Sequence, residues 1–343
     1  MFPFFLIFGV TFAVTAVLRP LLTKGRVLDV PNHRSSHSSP VPRGGGVSFA
    51  AVTIVAILWL YFRHAISGNL TLALVGSGMA LGITGFLDDC FETPVWFRLI
   101  VQFLAAGWTM WWLGGVVPLH SISGSIEWRW GVQAIAICGL VWFINLFNFM
   151  DGIDGLAGME AVAVCGLGAI LLVLRVPGGY EQCAWVLASA TGGFLIWNLP
   201  PAKLFMGDTG SGFLGVVLGI LVLFSAKSQP IFFWAWLILF SSFIVDATVT
   251  LLRRLISGSH WSKGHRSHAY QHAAQRLGSH AKVTWAVLGI NVFWLFPLAW
   301  VAVGHPSIAP FLALIAIIPL VFLAIHFDAG KVESSLVAST TTA

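Results

Sequence analysis

The residues of this chain best suited to chemistry are carboxylates. Asp88, Asp89, Asp151, Asp154 and Asp208 each lie at the edge of a long apolar run. Close to hydrocarbon a carboxylate costs up to about 3 kcal/mol to insert, so a set of them at such edges implies a task. Neighbours on a helix diverge by about 100°, which gives Asp88 and Asp89 different surroundings. Asn145, Asn148, Asp151 and Asp154 recur every three residues and so offer a line of amide and carboxylate oxygens on one face. Hard oxygen donors of this kind suit Mg²⁺, with Mn²⁺ as the alternative, held by one or two carboxylates while phosphate oxygens complete the shell. Asp208 stands in a Gly-rich stretch, Leu204 to Gly212, whose small residues let backbone N–H groups approach a phosphate. Asp208 would repel a bare phosphate, so the stretch makes sense if it holds a bridging cation. An ordinary helix N-cap is the competing reading.

Basic residues accompany the acids. His265, Arg266, His268 and His272 lie in a loop with Arg253, Arg254, Lys263 and Arg276. The cations around these histidines disfavour zinc, and the loop reads as donors for a diphosphate or nucleotide sugar, or as a basic membrane-surface loop. Arg43, with Arg34 and His37, lies in a Pro-stiffened loop that suits an anionic headgroup. Arg98 and Gln102, one turn apart, suit a lipid phosphate, with snorkelling as the alternative for Arg98. Asp246 falls inside an apolar run and is expected to pair with Arg253 or Arg254. Cys90, Cys138, Cys165 and Cys183 have no metal-type spacing and read as small buried residues.

The elements that must position these residues are membrane helices. With 57% hydrophobic residues, 9% charged ones and a mean hydropathy of +0.88 over 343 residues, the chain cannot be a water-soluble globule with one core. Apolar runs near 1–22, 46–63, 70–87, 99–117, 130–149, 158–176, 183–199, 211–226, 230–252, 282–303 and 307–326 predict an all-α polytopic protein of about eleven spans. The first run has its basic residues after it, so it reads as a retained helix with the N-terminus periplasmic and, by alternation, the C-terminus cytoplasmic. Of the 18 Lys and Arg, only Arg63, Arg129, Arg175 and Lys227 then fall outside, as the positive-inside rule requires. All five carboxylates fall on the inner face. Residues 1–330 form one integral domain, 331–343 a polar tail expected to be disordered, and no soluble basic domain exists to bind nucleic acid.

Four ordered motifs add a resemblance. Pro31-Asn-x-Arg-Ser-x-His37 with Pro42-Arg-Gly-Gly45, then Asp88-Asp89, then Asn145-x-x-Asn-x-x-Asp-Gly-x-Asp-Gly-Leu-Ala157, then Phe205-Met-Gly-Asp-x-Gly-Ser211 resemble the polyprenyl-phosphate N-acetylhexosamine-1-phosphate transferases of glycosyl transferase family 4. The family includes the phospho-MurNAc-pentapeptide translocase. The resemblance implies Mg²⁺-dependent transfer of a sugar 1-phosphate from a UDP-linked amino sugar to undecaprenyl phosphate, releasing UMP, on the cytoplasmic face of the bacterial inner membrane. It implies catalytic roles for Asp88, Asp89 and Asp154, and a metal site at Asp151 and Asp208. It further implies nucleotide-sugar contacts from Asn145, Asn148, Asp151, Asp154, His265, Arg266 and His268, and lipid-phosphate contacts from Arg43 and Arg98. The His265-Arg-Ser-His268 pattern departs from the three consecutive histidines of the peptidoglycan enzyme. It looks instead like the O-antigen-initiating branch that takes GlcNAc, FucNAc or QuiNAc. Membrane lipid and a second copy of the chain, as a homodimer, complete the expected partners. The rival from another class is a transporter or flippase, which predicts midplane charges and inverted repeats that the sequence does not show.

Overall fold

The computed structural model describes residues 4–29, 40–91, 93–115, 129–175, 179–258 and 266–331. The chain is helical almost throughout, as a run of apolar segments in hydrocarbon must be, because only internal hydrogen bonds can satisfy the backbone there. The helices are α1 (Phe4–Lys24), α2 (Gly46–Phe62), α3 (Gly68–Phe91), α4 (Val95–Leu113), α5 (Arg129–Phe149), α6 (Leu156–Arg175), α7 (Tyr180–Asn198), α8 (Gly207–Ser228), α9 (Ile231–Leu239), α10 (Ser241–Ile256), α11 (Ala269–Leu277), α12 (His280–Ile290), α13 (Phe296–Gly304) and α14 (Ala309–His326). A five-residue π-helical turn, Asn291–Leu295, welds α12 to α13.

The chain is thus an all-α polytopic membrane protein, in which length and apolarity alone mark fewer helices than the eleven expected spans. Among the described residues, seven helical rods are long and apolar enough to cross a bilayer by themselves. An eighth is reached if α9 and α10 count as one span, and these meet at a bend of 71° where a single straight segment over 230–252 was expected. At the bend the freed carbonyl of Leu237 accepts from Ser241 Oγ at 2.7 Å. α2 is apolar but only 17 residues long. The basic loop after α10 is not all loop either, since α11 forms within it.

The core is built around α8, whose apolar stretch is 72% buried, against 22% for α1 at the periphery. Phe213, Leu214, Val216, Leu218 and Ile220 of α8 pack among α2, α3 and α5. This central helix carries Asp208 in its first turn, so packing that fixes α8 also fixes the carboxylate. The loop before it is held from the side by the short antiparallel ladder β1 (Leu28–Asp29) and β2 (Val41–Pro42). Phe205 N–H donates to the Pro42 carbonyl at 2.8 Å, while the Gly45 and Gly46 amides donate to the Phe205 and Met206 carbonyls at 2.9 Å each.

Candidate active site

One end of the bundle gathers the end of α3, the α5–α6 loop, the start of α8 and the start of α11. Asp89 and Asp208 make the first join. Asp89 Oδ1 accepts from the Asp208 amide at 3.0 Å, and Oδ2 accepts from Thr209 N at 3.1 Å and Thr209 Oγ1 at 2.7 Å. These are amides that an α-helix leaves without partners at its amino end, so Asp89 is a cap supplied by another helix. Gly207, at φ +71°, makes the approach feasible: a β-carbon there would collide with the Asp89 carboxylate. Arg43 lies behind this cap, its Nε donating to the Asp89 carbonyl at 2.9 Å, and it is not among the residues that line the neighbouring cavity.

Asp88 diverges from Asp89, as helix geometry requires. Its Oδ1 accepts from Thr93 N at 2.6 Å and Thr93 Oγ1 at 2.5 Å, and its Oδ2 accepts from Arg98 Nη1 at 2.7 Å. The same Arg98 nitrogen donates to Asp208 Oδ2 at 3.1 Å. Asn148 Nδ2 donates to Asp208 Oδ1 at 2.6 Å and to Ser211 Oγ at 3.1 Å. Arg98 therefore occupies the space between two carboxylates, and Asp208 is held from both sides while remaining about one-third exposed. Asn145 stands one turn back, donating to Gln102 Oε1 at 2.7 Å.

Asp151 differs from all of these. It lies in the loop between α5 and α6, and among the described residues nothing donates a hydrogen bond to its carboxylate. Burial, then the negative charges of Asp208, Asp89 and Asp154, push it well above the ordinary carboxylate range. A carboxylate surrounded by like charges is a site where a cation would relieve repulsion. No group of three or more His, Cys, Asp or Glu among the described residues forms a complete metal cage. Asp151 and Asp208 are the oxygen donors that could hold a hard cation such as Mg²⁺, which binds through one or two carboxylates and fills its shell with water or phosphate oxygens.

Asp154 points elsewhere. Its Oδ2 accepts from Ala202 N at 3.0 Å, its Oδ1 lies 3.3 Å from His280 Nδ1, and its carbonyl accepts from Thr284 Oγ1 at 3.0 Å. It joins the α7–α8 loop to α12 and borders the acidic cluster from behind.

The basic side is built on α11. Asp246 was expected to pair with Arg253 or Arg254, and the structure corrects this. Asp246 accepts from the amides of Ala269 and Tyr270 at 2.9 Å each and lies 3.2 Å from His268 Nδ1, so it caps α11. Three partners on one helix end satisfy a buried carboxylate better than a guanidinium later on its own helix. Tyr270 Oη donates to the Phe149 carbonyl at 2.9 Å, directly over Gly152, where a β-carbon would collide with the phenol. Arg266 is close enough to Tyr270 to act on it electrostatically. His265, like Arg34 and His37, lies outside the described residues.

Between these walls lies a cavity of about 610 Å³. Arg98, Asn145, Asn148, Asp208, His268 and Tyr270 make its polar side, and Leu81, Val95, Leu99, Val141 and Trp142 its apolar side. Cys138, expected to be buried, is exposed and lines this cavity. Sequence reading missed Thr93, Tyr270, Gln271 and His280. For Gln271 a signal existed: His268-x-x-Gln271 has capping-box spacing, and the side chains close that box at the start of α11.

Residues 70–226, from α3 through α8, match the family profile described as Glycosyl transferase family 4. The chain is 26% identical over 270 residues to a probable undecaprenyl-phosphate N-acetylglucosaminyl 1-phosphate transferase of Bacillus subtilis, covering 75% of this chain and 72% of that protein. It is 31% identical over 214 residues to an undecaprenyl-phosphate alpha-N-acetylglucosaminyl 1-phosphate transferase of Thermotoga maritima, covering 61% and 60%. It is 26% identical over 311 residues to a phospho-N-acetylmuramoyl-pentapeptide-transferase of Caldicellulosiruptor bescii, covering 84% and 92%. The matched region contains every cavity-facing carboxylate and its holders on α3, α4, α5 and α8. From α3 through α8 the chain is thus similar to glycosyl transferase family 4, and its relatives include undecaprenyl-phosphate N-acetylglucosaminyl 1-phosphate and phospho-N-acetylmuramoyl-pentapeptide transferases.

Proposed function

We propose that this chain transfers a sugar 1-phosphate from a UDP-linked N-acetylated amino sugar to undecaprenyl phosphate, releasing UMP. The reaction starts an O-antigen or another cell-surface polysaccharide. The observation that carries the reading is the two-sided cavity, in which one wall offers Asp208, Arg98 and Asn148 to phosphates and the other offers hydrocarbon to a prenyl chain. The names of the relatives support the substrates: two are undecaprenyl-phosphate N-acetylglucosamine 1-phosphate transferases.

An oxygen of the lipid phosphate attacks the β-phosphorus of the UDP-sugar, and the bond from that phosphorus to the oxygen shared with the α-phosphate breaks. Both reactants are anions, so the protein must bring like charges together. Asp208 and Asp151 would hold Mg²⁺, or Mn²⁺, which when bound supplies charge screening and polarisation of the diphosphate. Arg98 meets the lipid phosphate, and Asp88 aims Arg98 through the 2.7 Å contact. Asn148 orients Asp208 through its amide, and Asn145 with His268 borders the donor. Asp89 and Asp154 act as positioning residues, since their oxygens are already committed to backbone and side-chain partners of α8 and the α7–α8 loop. A lipid phosphate is ionised near neutral pH, so positioning outweighs base catalysis and a single direct displacement suffices.

All eleven rods, α1 to α8, α9–α10, α12–α13 and α14, cross the bacterial inner membrane in this reading. An odd number puts the two termini on opposite faces, and the excess of Lys and Arg in the loops at the acidic end places that end in the cytoplasm, where UDP-sugars are, and the N-terminus outside. The test is incubation of membranes carrying the protein with undecaprenyl phosphate, Mg²⁺ and UDP-GlcNAc, UDP-FucNAc or UDP-QuiNAc in turn. UMP release dependent on both the lipid and one of the sugars is expected. No UMP from any of them sinks the reading.

A further inference from the structure

Glu160 of α6 is 1% exposed in a helix that spans the membrane, and none of the ion pairs among the described residues includes it. The reaction described above makes no use of it. A carboxyl group in that position is costly and so invites an account. Ser242 Oγ donates to its Oε1 at 2.9 Å, and Asn291 Nδ2 donates to its Oε2 at 2.5 Å. Ser242 and Asn291 are themselves 3.5 Å apart, closing a three-membered network.

The two partners sit at the two irregular joints of the bundle. Ser242 is the second residue of α10, just past the 71° break from α9. Asn291 is the first residue of the π-helical turn between α12 and α13. Joints that lack a continuous ladder of backbone bonds are the soft points of helices, and their angles are set by side chains that brace them. Ser242, Asp246 and Thr250 then follow each other at four-residue intervals along one face of α10. Thr250 Oγ1 donates to Asp246 Oδ1 at 3.2 Å, and Asp246 caps α11. α11 in turn places His268 and Tyr270 in the cavity wall.

We propose that Glu160 is a positioning residue for the nucleotide-sugar side of the site. It braces Ser242 and Asn291, thereby fixing the direction in which α10 leaves the break. α10 then seats the amino end of α11 through Asp246. The lipid-phosphate side, built on α3, α4 and α8, does not hang from this brace. The inference rests on the proposed reaction for its kinetic arm only.

Glu160→Ala is expected to raise KM for the UDP-sugar about tenfold, the loss of about one well-formed hydrogen bond, while KM for undecaprenyl phosphate stays within about twofold. Glu160→Gln, which keeps the volume and an acceptor oxygen, should restore donor KM to within about threefold. Ser242→Ala, which removes one strut and leaves the acid in place, should show the same donor-specific defect even where Glu160→Ala fails to fold. Hydrogen exchange supplies an arm independent of turnover: amides of 269–277 should exchange faster in both alanine variants while those of 207–213 do not. Equal loss for both substrates, no rescue by Gln, or unchanged exchange over 269–277 would overturn the proposal. If the wild type turns over no UDP-sugar, the reaction is wrong, and the exchange arm alone decides whether Glu160 controls α11.

Discussion

Two sets of aspartates share the same end of the bundle and behave differently. Asp89, Asp154 and Asp246 have oxygens filled by backbone amides of α8, the α7–α8 loop and α11 respectively. Asp151 and Asp208 face the cavity or one another's charge, and Asp88 shares its guanidinium partner with Asp208. The first set stabilises the fold by supplying acceptors to helix ends that have none. The second set works against it, since like charges are gathered and left incompletely neutralised. Carboxylates held at a cost to stability mark a reactive site more surely than their number does.

That contrast can be broken by substitution. Asp208→Asn should have the largest effect, reducing Mg²⁺-dependent UMP release by about a thousandfold or more. It should leave thermal stability in detergent unchanged or higher, because one repelling charge goes. Normal turnover by this variant would remove Asp208 from the ion site. Asp89→Ala should show the opposite balance, losing on the order of 3 kcal/mol in unfolding experiments because the Asp208 and Thr209 amides and the Thr209 hydroxyl lose their acceptor. A stable Asp89→Ala protein would undo the division into two sets. His268→Ala is expected to raise KM for the UDP-sugar several-fold, about 1 kcal/mol of binding, and to leave KM for the lipid unchanged. Unchanged kinetics for both substrates would make the α11 wall a surface feature.

The smallest effect concerns Asp328, beyond α14. Hydrogen bonds from Lys331 and Arg276 hold its carboxyl below the usual range. A depressed pKa stabilises the folded state above the unfolded value, about 3.9, and the contribution fades as pH falls through the folded value. Asp328→Asn should therefore lower the melting temperature slightly at pH 7, and by progressively less as pH falls below about 3.9. A difference that persists in acid would assign the effect to packing.

Much of the site was legible before any fold was known, because short-range periodicity carries the information. The three-residue spacing from Asn145 to Asp154 and the adjacent Asp88–Asp89 already located the acidic loops. What periodicity could not separate was which oxygen meets a distant amide. Asp246 shows this: its nearest cations in sequence are Arg253 and Arg254, yet its partners come from α11, more than twenty positions away. The 71° break was equally hidden, since 230–252 is apolar enough on average to read as one span and hydropathy registers composition, not direction.

The sequence by itself determined that this is a helical membrane protein, and its ligand types are what point the proposed chemistry to phosphates and a hard cation. Those conclusions need only transfer free energies and ligand types, which each residue carries with it. The tertiary structure alone decided that Asp89 caps α8 while Asp208 faces a cavity, and that α11 closes the other wall. Such roles depend on which groups distant segments bring within about 3 Å, and a hydrogen bond is won or lost over less than 1 Å.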